Sequence, residues 1–250
     1  MAGIGGLILL TAPAVLLFVV IFLVGEHIHP LRRFVRDRRS LMSFSAGLSA
    51  AYVFVHMMPE LHEAREVLVE AAGESLELRY EGMAVYLVAL AGFLCFYGLE
   101  QARAKAAELA EAGGEAGHGE SMHLGGMACY VGLMSYLLVR SAGTSVSATV
   151  LFAVAFGGHF LALEHSLREE YGQAYRRSGR WLMAGACVIG WSLGVFLPIP
   201  AFVLALLVAF ISGGVIMTNT LMELAEGKDG RFLPFLVGSV LYAALLVPLG

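Results

Sequence analysis

The chain is short of charge. Only 14% of its 250 residues are Asp, Glu, Lys or Arg, whereas 58% are hydrophobic and the mean hydropathy is +0.77. A soluble domain carries about a quarter charged residues, so this composition excludes an ordinary water-facing surface. Cysteine is scarce too. Cys95, Cys129 and Cys187 lie far apart inside apolar runs, which excludes a disulfide framework or a zinc ribbon and leaves them as small buried hydrophobes. Excess positive charge is also lacking: the net charge is −4, and nucleic acid is not an expected partner.

What the sequence has is long apolar blocks. Several approach about 20 residues, the length that crosses a bilayer core of about 30 Å. The expected fold is an all-α integral membrane protein, a single transmembrane domain over residues 1–250. Its eight spans are expected near 3–26, 41–59, 82–100, 122–144, 148–171, 181–198, 200–223 and 232–249. The first block, Ile4 to Val24, has no basic segment before it and is too long for the core of a leader, so it too is expected as a span.

Positive charge sets the orientation. With "LRRFVRDRR" (31–39) in the cytoplasm, 13 of the 16 basic residues fall on that side, and only Arg65, Arg79 and Arg140 lie elsewhere. Both termini are then extracytoplasmic, in a cell membrane. Residues 60–81 form an acidic outer loop in which Val67, Leu68, Leu76 and Leu78 could share one face of a surface helix. Residues 101–121 are rich in Ala, Glu and Gly and read as a mobile inner loop, with His118 a weak lure for metal.

Ionisable groups within spans are costly, so each is a functional candidate. The fifth span, "FGGHFLALEHSLREEYGQAYRR", is densest. His165 and Glu169, four apart, share a helical face. Imidazole and carboxylate at that spacing suit zinc, iron or manganese, and equally suit a solvated pair at the span's end. His159 and Glu164 lie on other faces, His159 as a hydrogen-bonded histidine of the bundle. In the fourth span Gly125, Cys129, Gly132, Tyr136, Arg140 and Gly143 recur at spacings of four and three, a stripe for close helix packing. Tyr136 and Arg140 interrupt it and are expected to face another helix. Arg140 has Glu164, Glu169 or Glu223 as partners, or else reaches to the outer surface. The segments "FSAG" (44–47) and "FISG" (210–213) each open a span that closes on an acidic cluster, "HMMPEL" and "LMELAEG". Such echoes are what inverted repeats of transporters leave, here of spans 1–3 and 6–8.

These motifs resemble the ZIP (Zrt/Irt-like) divalent metal transporters over the whole chain. The second span carries that family's pattern as Phe44, Ala46, Gly47, His56, Pro59 and Glu60. The fifth span's "HSLREEYGQ" (165–173) is similar to the family's His-Glu-rich run at His165, Glu170 and Gly172, with Glu169 where a ligand carboxylate stands and Ser166 in place of a ligand. The seventh span, "FISGGVIMTNTLMELAEG", supplies Asn219 and Glu223. The resemblance implies a carrier of a divalent cation, zinc foremost, through His165, Glu169, His56, Glu60 and Glu223. Arg140, Tyr136, Ser166, Asn219, His159 and Glu164 would line or gate the path, and a homodimer in the lipid bilayer is implied as well.

The fourth span departs from the family. "GLMSYLLVRSA" keeps Gly132 but has Tyr136, Leu137 and Arg140 where ligands belong, so a full two-metal centre cannot form. Three readings stay open: a divergent carrier with a reduced metal site, a non-transporting member with a regulatory role whose site Arg140 closes, or a carrier of protons or an anion. An enzyme is not expected, because no nucleophile–base pair and no His-Glu-x-x-His run occurs.

Overall fold

The computed structural model describes residues 4–25, 38–59, 61–63, 65–66, 78–111, 117–142, 146–225 and 231–246. Among the described residues every regular element is helical: α1 (Ile4–Val24), α2 (Arg38–Tyr52), α3 (Leu78–Glu111), α4 (Gly117–Ala142), α5 (Val146–Ala174), α6 (Arg180–Phe196), α7 (Ala201–Ala225) and α8 (Phe232–Leu246). Five helical stretches are long and apolar enough to cross a membrane: Ile4–Val24, Met83–Leu109, Gly119–Arg140, Val146–Phe196 and Ala201–Thr218. The chain is therefore a multi-pass membrane protein. At 51 residues, Val146–Phe196 is more than twice one bilayer crossing. It divides at Gly172, whose φ of +49° and ψ of −114° break the helix in a region that glycine enters without a Cβ clash.

The outer surface fits a lipid environment. Leu9 is 80% exposed, Phe232 73% and Ile189 63%, a cost in water that hydrocarbon does not levy. Cys95 and Cys129 belong to this exposed surface, and only Cys187 is buried; the expectation of three buried cysteines is corrected. An apolar thiol is as stable against lipid as against a core. The loop expected over 101–121 is corrected as well. Helix α3 runs on to Glu111, and α4 begins at Gly117. "EQARAKAAELAE" consists largely of strong helix formers, and their propensity carries the helix beyond the apolar run. Residues 60, 64 and 67–77 of the outer loop lie outside the described residues.

Two helix pairs form the frame. Helix α2 packs on α8, and α3 on α7. A Cβ on Gly47 would stand 2.2 Å from the Phe235 carbonyl oxygen, and one on Gly238 would stand 2.3 Å from that of Phe44. The same reciprocity holds in the second pair: Gly92 against the Phe210 oxygen at 2.0 Å, and Gly213 against the Ala89 oxygen at 1.8 Å. In each helix the carbonyl and the glycine are three residues apart, so two backbones interlock where no side chain fits. Both segments of the FSAG/FISG echo are halves of such crossings. Ser239 Oγ adds a hydrogen bond to the Gly47 carbonyl at 3.1 Å.

Helices α4 and α6 meet in a third close crossing. A Cβ on Gly190 would lie 1.9 Å from the Gly132 oxygen. The expected stripe on α4 is thus right for Gly132 and Tyr136, while Gly125 faces open space and Cys129 the exterior. Helix α4 is the most enclosed, with 61% of its crossing segment buried against 17% for α3. An aromatic core joins α1, α2 and α5. Phe18 meets Phe160 edge-on at 4.9 Å, and Tyr52 meets Phe152 and Phe156 at 5.8 and 5.0 Å.

Candidate functional site

Pro59 explains the local shape around His56. It has no N–H to offer the Val55 carbonyl, so the regular ladder cannot close there. The chain widens into a π turn over Val53–Met57, with the Met58 N–H bonding the Val53 oxygen. Such wide turns collect at functional sites. His56, in that turn, lies 4.9 Å from the Tyr52 ring, centre to centre. From Tyr52 the contacts continue to Phe156 at 5.0 Å and from Phe156 to His159 at 6.1 Å. His159 is 1% exposed, and its Nε2 is 2.9 Å from the Tyr130 hydroxyl on α4. A line of rings thus runs from His56 into the interior of the bundle.

His165 lies six residues beyond His159, about 9 Å along α5. The expected pairing with Glu169 is made: His165 Nε2 stands 3.2 Å from Glu169 Oε1. Its other nitrogen is also occupied, with Arg168 Nη2 3.3 Å from Nδ1. The same arginine places Nε 3.0 Å from Oε1 of Glu164, a carboxylate that is 2% exposed. Glu164 seats against the end of α1, where a Cβ on Gly25 would meet its Oε2 at 2.9 Å. Arg168 therefore neutralises a buried carboxylate and covers one face of His165. The charged groups crowd the far end of α5, where Glu169 is 67% exposed.

Other expected residues are not brought to this point. Arg140 lies near the opposite end of α5, which has about 28 Å of helix between Val146 and His165. Among the described residues, Glu164 pairs with Arg168 and Glu169 with His165, both within α5. Tyr136 does face another helix, donating its hydroxyl to the Leu197 carbonyl at 3.1 Å, just past the end of α6. Ser166 is on the exposed side. Glu60 lies outside the described residues, as do the side chains of Asn219 and Glu223. Among the described residues, no three His, Cys, Asp or Glu side chains converge to hold a metal.

Sequence reasoning missed a second polar cluster, at the end of the bundle where α3 and α4 approach. Arg103 on α3 pairs with Glu100 of its own helix and, at 2.7 Å, with Glu170 of α5. Near them on α4 is His123, 3% exposed, with Nδ1 2.7 Å from the Tyr171 hydroxyl and Nε2 3.6 Å from Glu100 Oε2. The i, i+3 spacing of Glu100 and Arg103 was readable, and so was a histidine inside an apolar run. Nothing local ties either to Glu170 or Tyr171.

No family model matches the chain, and no curated protein or solved structure does.

Proposed function

We propose that the chain is a ZIP-like transporter of eight spans in a cell membrane, and that its cargo is a divalent metal cation such as zinc, iron or manganese. The observation that carries this reading is the polar and aromatic line along α5: His56 and Tyr52 at one end, the buried His159–Tyr130 pair midway, and His165–Glu169 at the other. Imidazoles inside a membrane bundle are costly, and by default they mark candidate solute paths. Nitrogen and carboxylate donors suit a first-row dication. The two reciprocal glycine crossings support an inverted repeat of spans 1–3 and 6–8, since each pairs one member of the first three helices with one of the last three. The basic bias of the sequence supports extracytoplasmic termini, and the resemblance supports a homodimer.

A second reading has its own observation. Both His165 nitrogens are engaged, by Arg168 and by Glu169. A non-transporting, regulatory membrane protein would keep them so, with Arg168, rather than Arg140, as the closing residue. Uptake of zinc and cadmium by liposomes holding the purified protein separates the two. The transport reading expects uptake that His165→Ala abolishes. Absence of uptake from folded protein, with uptake appearing in Arg168→Lys, would establish the closed reading.

A further inference from the structure

The α3–α4–α5 end of the bundle carries an arrangement that the His165 site does not use. His123 is 3% exposed, and its Nε2 has no hydrogen-bond partner among the described residues. That nitrogen faces the Glu100 carboxylate at 3.6 Å. The other ring nitrogen, Nδ1, is held at 2.7 Å by the Tyr171 hydroxyl. Histidines that bind metals are commonly fixed in this way, one nitrogen tied to an oxygen and the other left to the ion. With Nδ1–H donating to the tyrosine oxygen, the Nε2 lone pair is free for a cation.

Glu100 faces that nitrogen, and Arg103 ties Glu100 to a second carboxylate, Glu170, on the neighbouring helix. Arg103 donates from Nε to Glu100 Oε1 at 2.9 Å and from Nη1 to Glu170 Oε1 at 2.7 Å. One guanidinium therefore joins carboxylates from two helices, and the donor groups stay apart while it does. The Glu100 and Glu170 side chains are 21% and 22% exposed, so an ion could reach them from outside while the imidazole closes the site from within. We propose that Glu100, His123 and Glu170 form a binding site for a first-row divalent cation, with the Arg103 guanidinium as its resident occupant. An ion enters when that side chain swings out. One imidazole nitrogen and two carboxylates match zinc, manganese or cobalt, and water completes the shell. The proposal concerns binding alone and does not rest on the transport reading.

The test is a Co²⁺ titration of the full-length protein in detergent, read by its visible absorption. It is done in a His165→Ala background, so that the other His–Glu pair contributes nothing. Arg103→Gln removes the competing positive charge, and the site should then take Co²⁺ about tenfold more tightly or better. Adding His123→Gln or Glu170→Gln to that variant should abolish the absorption. Equal affinity with and without Arg103, or binding indifferent to His123, would overturn the proposal and leave the cluster as an ion-pair clasp. Should Arg103→Gln not fold, His123→Gln alone decides. It must weaken millimolar-range Co²⁺ binding at least about tenfold, and binding that is undetectable or unchanged overturns the site.

Discussion

The frame of the bundle and the polar face of α5 are built on opposite terms. In the α2–α8 and α3–α7 crossings, the decisive atoms are glycine Cα and main-chain carbonyl oxygens, at separations that leave no volume for a methyl group. Along α5 the decisive atoms are side-chain nitrogens and oxygens whose partners come from α3 and α4 as well as from α5 itself. The frame tolerates no added atom. The polar face tolerates new shapes but not the loss of a partner, because a buried polar group left without one keeps its full desolvation cost.

The sharpest way to break that comparison is one methyl group on the frame. Gly213→Ala places a Cβ 1.8 Å from the Ala89 oxygen and 2.7 Å from the Phe93 nitrogen, both main chain. Neither atom can rotate away, so the helices must part. The expected loss is about 3 kcal/mol or more, the upper end for overpacking. Thermal unfolding in detergent should show it as a large drop in midpoint or loss of a monodisperse species.

The polar face should respond more gently. His159→Phe removes one of the partners of the Tyr130 hydroxyl, which is completely buried and also bonds Thr218. The expected cost is about 1 kcal/mol, with a similar value for Tyr130→Phe. The double variant should lose less than the sum of the two, because the bond exists only once. Strict additivity in a double-mutant cycle would show that the two rings are neighbours and not partners.

The same contrast explains what could be read from the sequence. Helix positions followed from apolar run length, and the FSAG/FISG echo pointed to two segments that turn out to sit in equivalent crossings. Close backbone packing demands glycine at fixed spacing, and a residue type at fixed spacing is visible in one dimension. His165 with Glu169 was legible for the same reason, being one turn apart. Arg103 with Glu170, and His123 with Tyr171, were not; their partners are 67 and 48 residues away. Which helices meet at that end depends on packing and not on local pattern. The expected stripe on α4 failed at Gly125 and Cys129 because small residues on lipid-facing positions look the same as small residues at a crossing. Arg168, beside Glu169 and Glu170 at a span end, reads in the sequence as one of a group of solvated charges, and its burial against Glu164 is a tertiary fact.

The smallest expected effect is the most discriminating. Gly125 belongs to the same sequence stripe as Gly132, yet nothing lies within 4 Å of where its Cβ would be. Alanine is a better helix former than glycine by about 0.8–1 kcal/mol, and this gain comes without a clash when the space is open. Gly125→Ala should therefore leave the unfolding midpoint unchanged or raise it slightly, whereas the identical substitution at Gly213 lowers it severely. If both variants lose stability alike, Gly125 packs against something other than the described helices. A second copy of the chain is then the first partner to look for, by cross-linking at Cys129, which lies one helical turn away on the exposed surface.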